Sequence, residues 1–200
     1  MRVMNISSPK IKKEKILYIH GLGSDSNSGT GIFIKELLKD DYEVIIPFWD
    51  LVSNPFDTIN AINKFILEND ISLVIASSLG AFFALNQNPE IRRILINPCL
   101  EPSVQIPKLI ELKESQINSF KRIESKMVEN IDLPSNPNIF GGFGDKDELF
   151  NYQDLFRKRY GNNMIIVDGS HKLPDDSLEE VIKKGLSYFF NTPADINIRV

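Results

Sequence analysis

The sequence predicts an α/β protein: one sheet of about six mainly parallel strands with helices on both faces. Three observations predict it. Short β-branched runs bounded by turn residues alternate along the chain with segments whose apolar residues recur at helical spacing. A length of 200 residues and a mass of 22.8 kDa suit a single domain over residues 1–200, large enough to bury roughly 70% of the surface of its unfolded chain. The composition is 42% hydrophobic and 25% charged, with Cys99 the single cysteine. No internal disulfide is available, so the core has to hold the fold by itself.

The elements follow in order. The run KILYIH at Lys15–His20 reads as a buried strand closed by the Gly-rich stretch GLGSDSNSGTG. From Gly31 to Asp40, the spacing of Phe33, Ile34, Leu37 and Leu38 predicts a helix. Tyr42–Pro47 predicts the second strand. Asp57 is the expected cap of a helix carrying Ile59, Ile62, Phe65 and Ile66. Ile71–Ala76 predicts a third strand, Leu79–Leu85 a helix, and Arg93–Asn97 a fourth strand. Residues 101–136 lack a strand signal, but Ile117, Phe120, Ile123 and Met127 are helically spaced among charges. This predicts a helical insertion before the fifth strand, acting either as a cap over a site or as a surface helix packed on the sheet. Asn138–Phe143 predicts the fifth strand, followed by a helix with Leu149, Tyr152, Phe156 and Tyr160. Met164–Val167 predicts the sixth strand. The last helix is expected to begin at a capping box, Ser177 with Glu180, and to run through Leu178, Val181, Ile182 and Phe189. Residues 1–13 and 191–200 read as loosely held ends.

Composition narrows the chemistry. With Lys+Arg 23 and Asp+Glu 27, the formal net charge is −4, a poor match for phosphate-backbone binding, so no nucleic-acid partner is expected. One cysteine and two histidines, His20 and His171, leave no CxxC zinc site, no three-His site and no HExxH motif. No metal and no cofactor is expected. The N-terminus has basic residues but no apolar run of signal-peptide length, which with the lone cysteine predicts a cytoplasmic setting. Residues 71–89 carry no charge, yet Ser72, Ser77, Ser78, Gly80, Asn86 and Pro89 interrupt them. A strand, a sharp turn and a helix are expected there rather than a membrane span.

The chemistry centres on Ala76-Ser77-Ser78-Leu79-Gly80, where the third strand meets its helix. A nucleophilic serine needs a turn tight enough to lift its hydroxyl above the sheet, and small residues two before and two after it permit that turn. Ala76 stands where the G-x-S-x-G pattern has Gly. The alternative is a plain strand-to-helix connection with a capping serine. A serine hydroxyl also needs a base. His171, in Gly169-Ser170-His171, follows the last strand and so reaches the same sheet edge as Ser78. The base needs a carboxylate, and Gly144-Asp145-Lys146-Asp147 offers Asp145 and Asp147 at the end of the fifth strand. The order is Ser, Asp, His. The N–H groups of Leu22, in His20-Gly21-Leu22-Gly23, and of Leu79 are the candidate oxyanion donors. His20 would then brace the turn.

Other readings are weaker. A nucleotide-binding loop is disfavoured because GLGSDS has Ser26 where G-x-G-x-x-G requires Gly, although Asp50 could hold a ribose. Phe48, Trp49 and Phe150 are candidate pocket aromatics. Cys99 reads as a buried inert thiol. Lys10, Lys12, Lys13 and Lys15 read as a solvated lead-in to the first strand.

The motifs YIHGLGSDSNS, ASSLGAF, INPCLEP, GDKDELFNY and GSHKL together resemble the YqiA-like small esterases of the α/β-hydrolase superfamily. The resemblance runs from about Lys15 to Phe190. It implies a compact α/β-hydrolase fold and hydrolysis of carboxylic esters, of short acyl chains, through an acyl-enzyme. The family's acid opens a run that falls here on Asp147-Glu148-Leu149-Phe150-Asn151-Tyr152, so the resemblance selects Asp147 over Asp145. The expected set is Ser78, Asp147 and His171, with Leu22 and Leu79 as oxyanion donors and a small acyl ester as substrate. An acyltransferase or peptidase on this fold, or a non-catalytic binding protein, are the alternatives.

Overall fold

The computed structural model describes residues 13–129 and 136–190, so the expected loose ends, Lys13 apart, lie outside the described residues. Over them the chain runs β1 (Glu14–Ile19), α1 (Gly29–Leu38), β2 (Tyr42–Ile45), α2 (Pro55–Glu68), β3 (Ile71–Ser77), α3 (Leu79–Leu85) and β4 (Arg92–Ile96). It continues through α4 (Pro102–Gln105), a 3₁₀ turn (Ile106–Lys108), α5 (Glu114–Glu129), β5 (Ile139–Gly144), α6 (Gln153–Tyr160), β6 (Met164–Val167) and α7 (Asp175–Phe189).

The strands form one six-stranded sheet in the order β2-β1-β3-β4-β5-β6, and every recorded pairing is parallel. The order reverses between β1 and β3. Right-handed crossovers then send α1 to one face, and α2, α3, α5 and α6 to the other. The two cores agree with this. Strand side chains alternate between faces: Ile16, Tyr18, Leu73 and Ile75 pack with Ile34 of α1 and Val181 of α7. Leu17, Ile19, Val74 and Ala76 pack with Ile62 of α2, Phe82 of α3, Phe120 of α5 and Phe156 of α6.

Three helix starts differ from the sequence reading. Asn54, not Asp57, caps α2; its side chain accepts from Asp57 N, and Pro55 occupies the first turn. Leu149 and Tyr152 precede α6, because the Asp147 carboxylate accepts from Leu149 N and Phe150 N, each at 2.9 Å, and holds that segment in a turn. Helix α7 starts at Asp175, directly after Pro174. The Ser177 hydroxyl therefore does not cap it and instead donates to Asp168 O at 2.6 Å.

Within 101–129, Phe120 packs edge-on against Phe82 and Phe83 of α3 at 5.7 and 6.4 Å. Glu124 accepts from Ser103 N and Ser103 Oγ, both at 2.7 Å, tying α5 to α4. On β4, the buried Arg93 guanidinium donates to Ala84 O at 2.7 Å and Gln87 O at 3.0 Å, and also to Asn88 O. Carbonyls at and beyond the end of α3 are thereby satisfied from below. Burial lowers the Arg93 pKa to about 10. The uncharged stretch 71–89 becomes β3, a turn and α3, and no helix among the described residues is long and apolar enough to cross a membrane.

Candidate active site

Strand β3 delivers Ser78 at the switch point of the sheet, where parallel α/β folds form a crevice. Ser78 has φ 52° and ψ −125°, a conformation L-residues rarely adopt. The strain is held in place from three sides. Ser78 N donates to Ile96 O at 2.9 Å, while Ser78 O accepts from Cys99 N at 3.0 Å and Ala81 N at 3.1 Å. Gly80 is the close-approach position: a Cβ there would sit 2.3 Å from His20 O and 2.5 Å from Ile19 O. Ala76 needs no such room, since its methyl lies fully buried in the core. The small residue after the serine is therefore the stringent one.

The loop after β6 brings His171 to Ser78. Its Nε2 lies 3.0 Å from Ser78 Oγ, and its Nδ1 lies 3.0 and 2.9 Å from the two Asp147 oxygens. A proton on Nδ1 directed at the carboxylate leaves the Nε2 lone pair facing the serine hydroxyl. The Asp147 side chain is 4% exposed and that of His171 16%. Phe150 meets the imidazole edge-on, centroids 4.8 Å apart, limiting ring rotation. Asp145, the other carboxylate offered by the sequence, turns away: its Oδ1 accepts from Gly169 N at 3.0 Å.

Two further residues hold this arrangement. Asn97, at the end of β4, has φ 42°. Its Oδ1 accepts from Gly144 N at 2.8 Å, and its Nδ2 donates to Ser170 O at 3.1 Å and His171 O at 2.9 Å. One amide thus ties the end of β5 to the loop that carries His171. Glu148 Oε2 accepts from His171 N at 2.9 Å, and that bond holds the Glu148 carboxyl below its usual range. Neither residue carries a sequence signal for this role, because their partners come from distant loops.

The turn after β1 closes over the serine. A Cβ on Gly21 would lie 3.0 Å from Ser78 Cβ and 3.5 Å from its Oγ. Leu22 lines the cavity beside Ser78. Leu79, first residue of α3, presents an N–H with no intrahelical acceptor. His20 is buried; its Nε2 accepts from Trp49 N at 3.1 Å and its Nδ1 lies 2.9 Å from Gly21 O. It joins the loops after β1 and β2.

The cavity beside Ser78 and His171 has a volume of about 290 Å³. None of Phe48, Trp49 and Phe150 lines it, nor does any residue of 101–129. Phe48 instead stacks on His20 at 5.7 Å. Trp49 packs edge-on against Phe65 at 5.7 Å. Asp50, the conceivable ribose ligand, accepts from Val52 N and Ser53 N at 3.2 and 3.0 Å in the turn before α2. Cys99 is buried, and burial drives its thiol pKa far above the usual value; it offers no nucleophile at neutral pH.

Comparison with known proteins gives a family and a fold. The model of UPF0227, described as an uncharacterised protein family, matches residues 15–188. No curated protein matches the chain. Among solved structures, the chain is similar to FphF, a fluorophosphonate-binding serine hydrolase of Staphylococcus aureus solved with substrate bound. There the identity is 14%, with 94% of this chain and 88% of that chain covered and a TM-score of 0.61. Est1E from Butyrivibrio proteoclasticus is 13% identical over 88% of this chain and 89% of its own, with a TM-score of 0.65. Mouse alpha/beta hydrolase domain-containing protein 10 is 15% identical over 86% and 88%, with a TM-score of 0.63. The fold is that of the α/β hydrolases.

Proposed function

The chain belongs to the uncharacterised protein family UPF0227, and on that premise we propose that it is a serine hydrolase of carboxylic esters. One observation carries the reading: the continuous line of hydrogen-bond distances from Asp147 through His171 to a Ser78 held in a strained turn. A serine used only for capping would not need a left-handed φ or an imidazole partner.

In this mechanism Ser78 Oγ attacks the acyl carbon while His171 Nε2 takes its proton. The Asp147 carboxylate keeps Nδ1–H in place and offsets the charge of the imidazolium. The N–H groups of Leu22 and Leu79 meet the oxygen as it becomes an oxyanion; one such donor contributes about 10²–10³ in kcat. The carbon–oxygen bond to the alcohol then breaks, and the alcohol leaves with the proton from His171. Water attacks the acyl-enzyme, its proton passing to Nε2. Collapse releases the acid and returns the proton to Ser78 Oγ. The cavity of about 290 Å³ lies at the small end of ligand pockets and favours short acyl chains.

The test is turnover of p-nitrophenyl acetate and butyrate together with labelling by a fluorophosphonate probe. Wild type is expected to do both and Ser78→Ala neither. Labelling or full turnover by Ser78→Ala would overturn the assignment. Adding alcohols or thiols as competing acceptors separates hydrolysis from acyl transfer.

A further inference from the structure

The cavity beside Ser78 has an unusual wall. It lies on the α1 and α7 side of the sheet, where Tyr18 and Ser77 point. Tyr18 is 1% exposed, and its hydroxyl lies 2.8 Å from Ser77 Oγ. Ser28 and Thr30 line the same cavity. Ser24 adds a further hydroxyl, and Lys172, directly after the base, is the only Lys, Arg, Asp or Glu among the lining residues. No Asp or Glu lines the space. Among the described residues no carboxylate pairs with the Lys172 ammonium. A hydroxyl can rotate to donate to an anionic oxygen. Burial raises the Tyr18 pKa above that of an ordinary phenol, which favours the protonated form.

We propose that this cavity is a subsite for a small carboxylate-bearing arm of the ester, held by the Thr30 hydroxyl and the one O–H that the Tyr18–Ser77 pair leaves free, with Lys172 at its rim. The inference rests on the serine-hydrolase reading and gives its substrate class. A hydrocarbon arm alone would leave the hydroxyl cluster facing apolar surface, which costs free energy. A large anion such as a nucleotide exceeds a cavity of about 290 Å³. The arm belongs to either the acyl or the alcohol part, and the assay distinguishes the two.

The experiment compares kcat/KM for mono-p-nitrophenyl succinate with p-nitrophenyl butyrate, which places the charge on the acyl side. The methyl ester of glycolic acid acetate and the free acetoxyacetate do the same on the alcohol side. One anionic ester is expected to exceed its neutral counterpart about tenfold or more, as hydrogen bonds to a charged group allow. Raising the salt concentration should shrink the preference. Lys172→Gln should lower it about threefold, and Thr30→Val, which keeps the side-chain shape, should lower it as well. If neither anionic ester is preferred while neutral esters turn over, the subsite falls and the hydrolase reading stands. If the fluorophosphonate probe fails to label Ser78, the hydrolase reading falls instead. Calorimetric titration with methyl hemisuccinate then decides the subsite: saturable binding weakened by Lys172→Gln supports it, and no binding overturns it.

Discussion

Ser78 holds a conformation that should be measurable as free energy. At φ 52° and ψ −125°, a residue with a Cβ is strained by about 1–3 kcal/mol. Ser78→Ala removes the hydroxyl and keeps the Cβ. Ser78→Gly removes both, so the difference between the two variants isolates the strain, since each has lost the same contact to His171. Against the relief stands the larger chain entropy that glycine loses on folding, about 0.5–1 kcal/mol. The balance is about 0–2.5 kcal/mol in favour of glycine, with a middle value near 1 kcal/mol. For a chain of this size, that middle value raises the melting temperature by about 2–4 °C. Urea unfolding of both variants, followed by circular dichroism, gives the comparison at matched m-values. The Gly variant is expected to unfold at higher urea than the Ala variant while both are inactive. A Gly variant with a midpoint below that of the Ala variant, at unchanged m, would refute the claim that the turn is strained.

Further outcomes follow from the same geometry. Asp147→Asn should reduce kcat by about 10⁴, since the amide no longer fixes the imidazole tautomer; Asp145→Asn should lose far less, and a reversed ranking in a p-nitrophenyl ester assay would reassign the acid. Asn97→Ala frees the Ser170 and His171 carbonyls and the Gly144 N–H at once, so kcat should fall while KM changes little, with partial recovery in Asn97→Asp, which keeps an acceptor for Gly144 N. Cys99 should resist iodoacetamide at pH 8 in the folded protein, because burial pushes its thiol pKa up and leaves almost no thiolate; rapid native labelling followed by mass spectrometry would contradict that.

Most strands were legible because they are apolar, largely β-branched runs with a turn signal at the end, while β5 (IFGGFG) shows only Ile139 and two Phe among glycines; most predicted edges lie within a residue or two of those observed. Helix starts were less legible where two signals competed. Asn54-Pro55 is itself a strong start signal, and it outweighs Asp57. Ser177 with Glu180 has the capping-box spacing, but Pro174 has already turned the chain into the helix. Leu149 and Tyr152 have helical spacing with Phe156, yet the Asp147 carboxylate claims the backbone N–H groups between them. At the candidate site, residue types and order pointed to Ser78 and His171, whereas the residues alone left Asp145 and Asp147 open; only in space do their hydrogen bonds differ. Asn97 was not legible as a tie, because its partners stand 47, 73 and 74 positions away. The hydroxyl cavity was hidden for the same reason: Tyr18, Thr30, Ser77 and Lys172 become neighbours only once the strands pair.

Strand β6 is four residues long and sits at the sheet edge, with Ile166 42% exposed. Yet its loop supplies the histidine that meets a serine from the middle of the sheet, three strands further in. Parallel neighbours lie about 4.8 Å apart, so that loop reaches across about 14 Å. Edges of a domain open more readily than its centre. Ser78 therefore belongs to the interior of the sheet and His171 to one of its less protected margins. Under mild denaturation the proposed ester hydrolysis would be lost while nearly all the secondary structure persists, so that activity would report on the edge of the sheet before any spectrum reports on the fold.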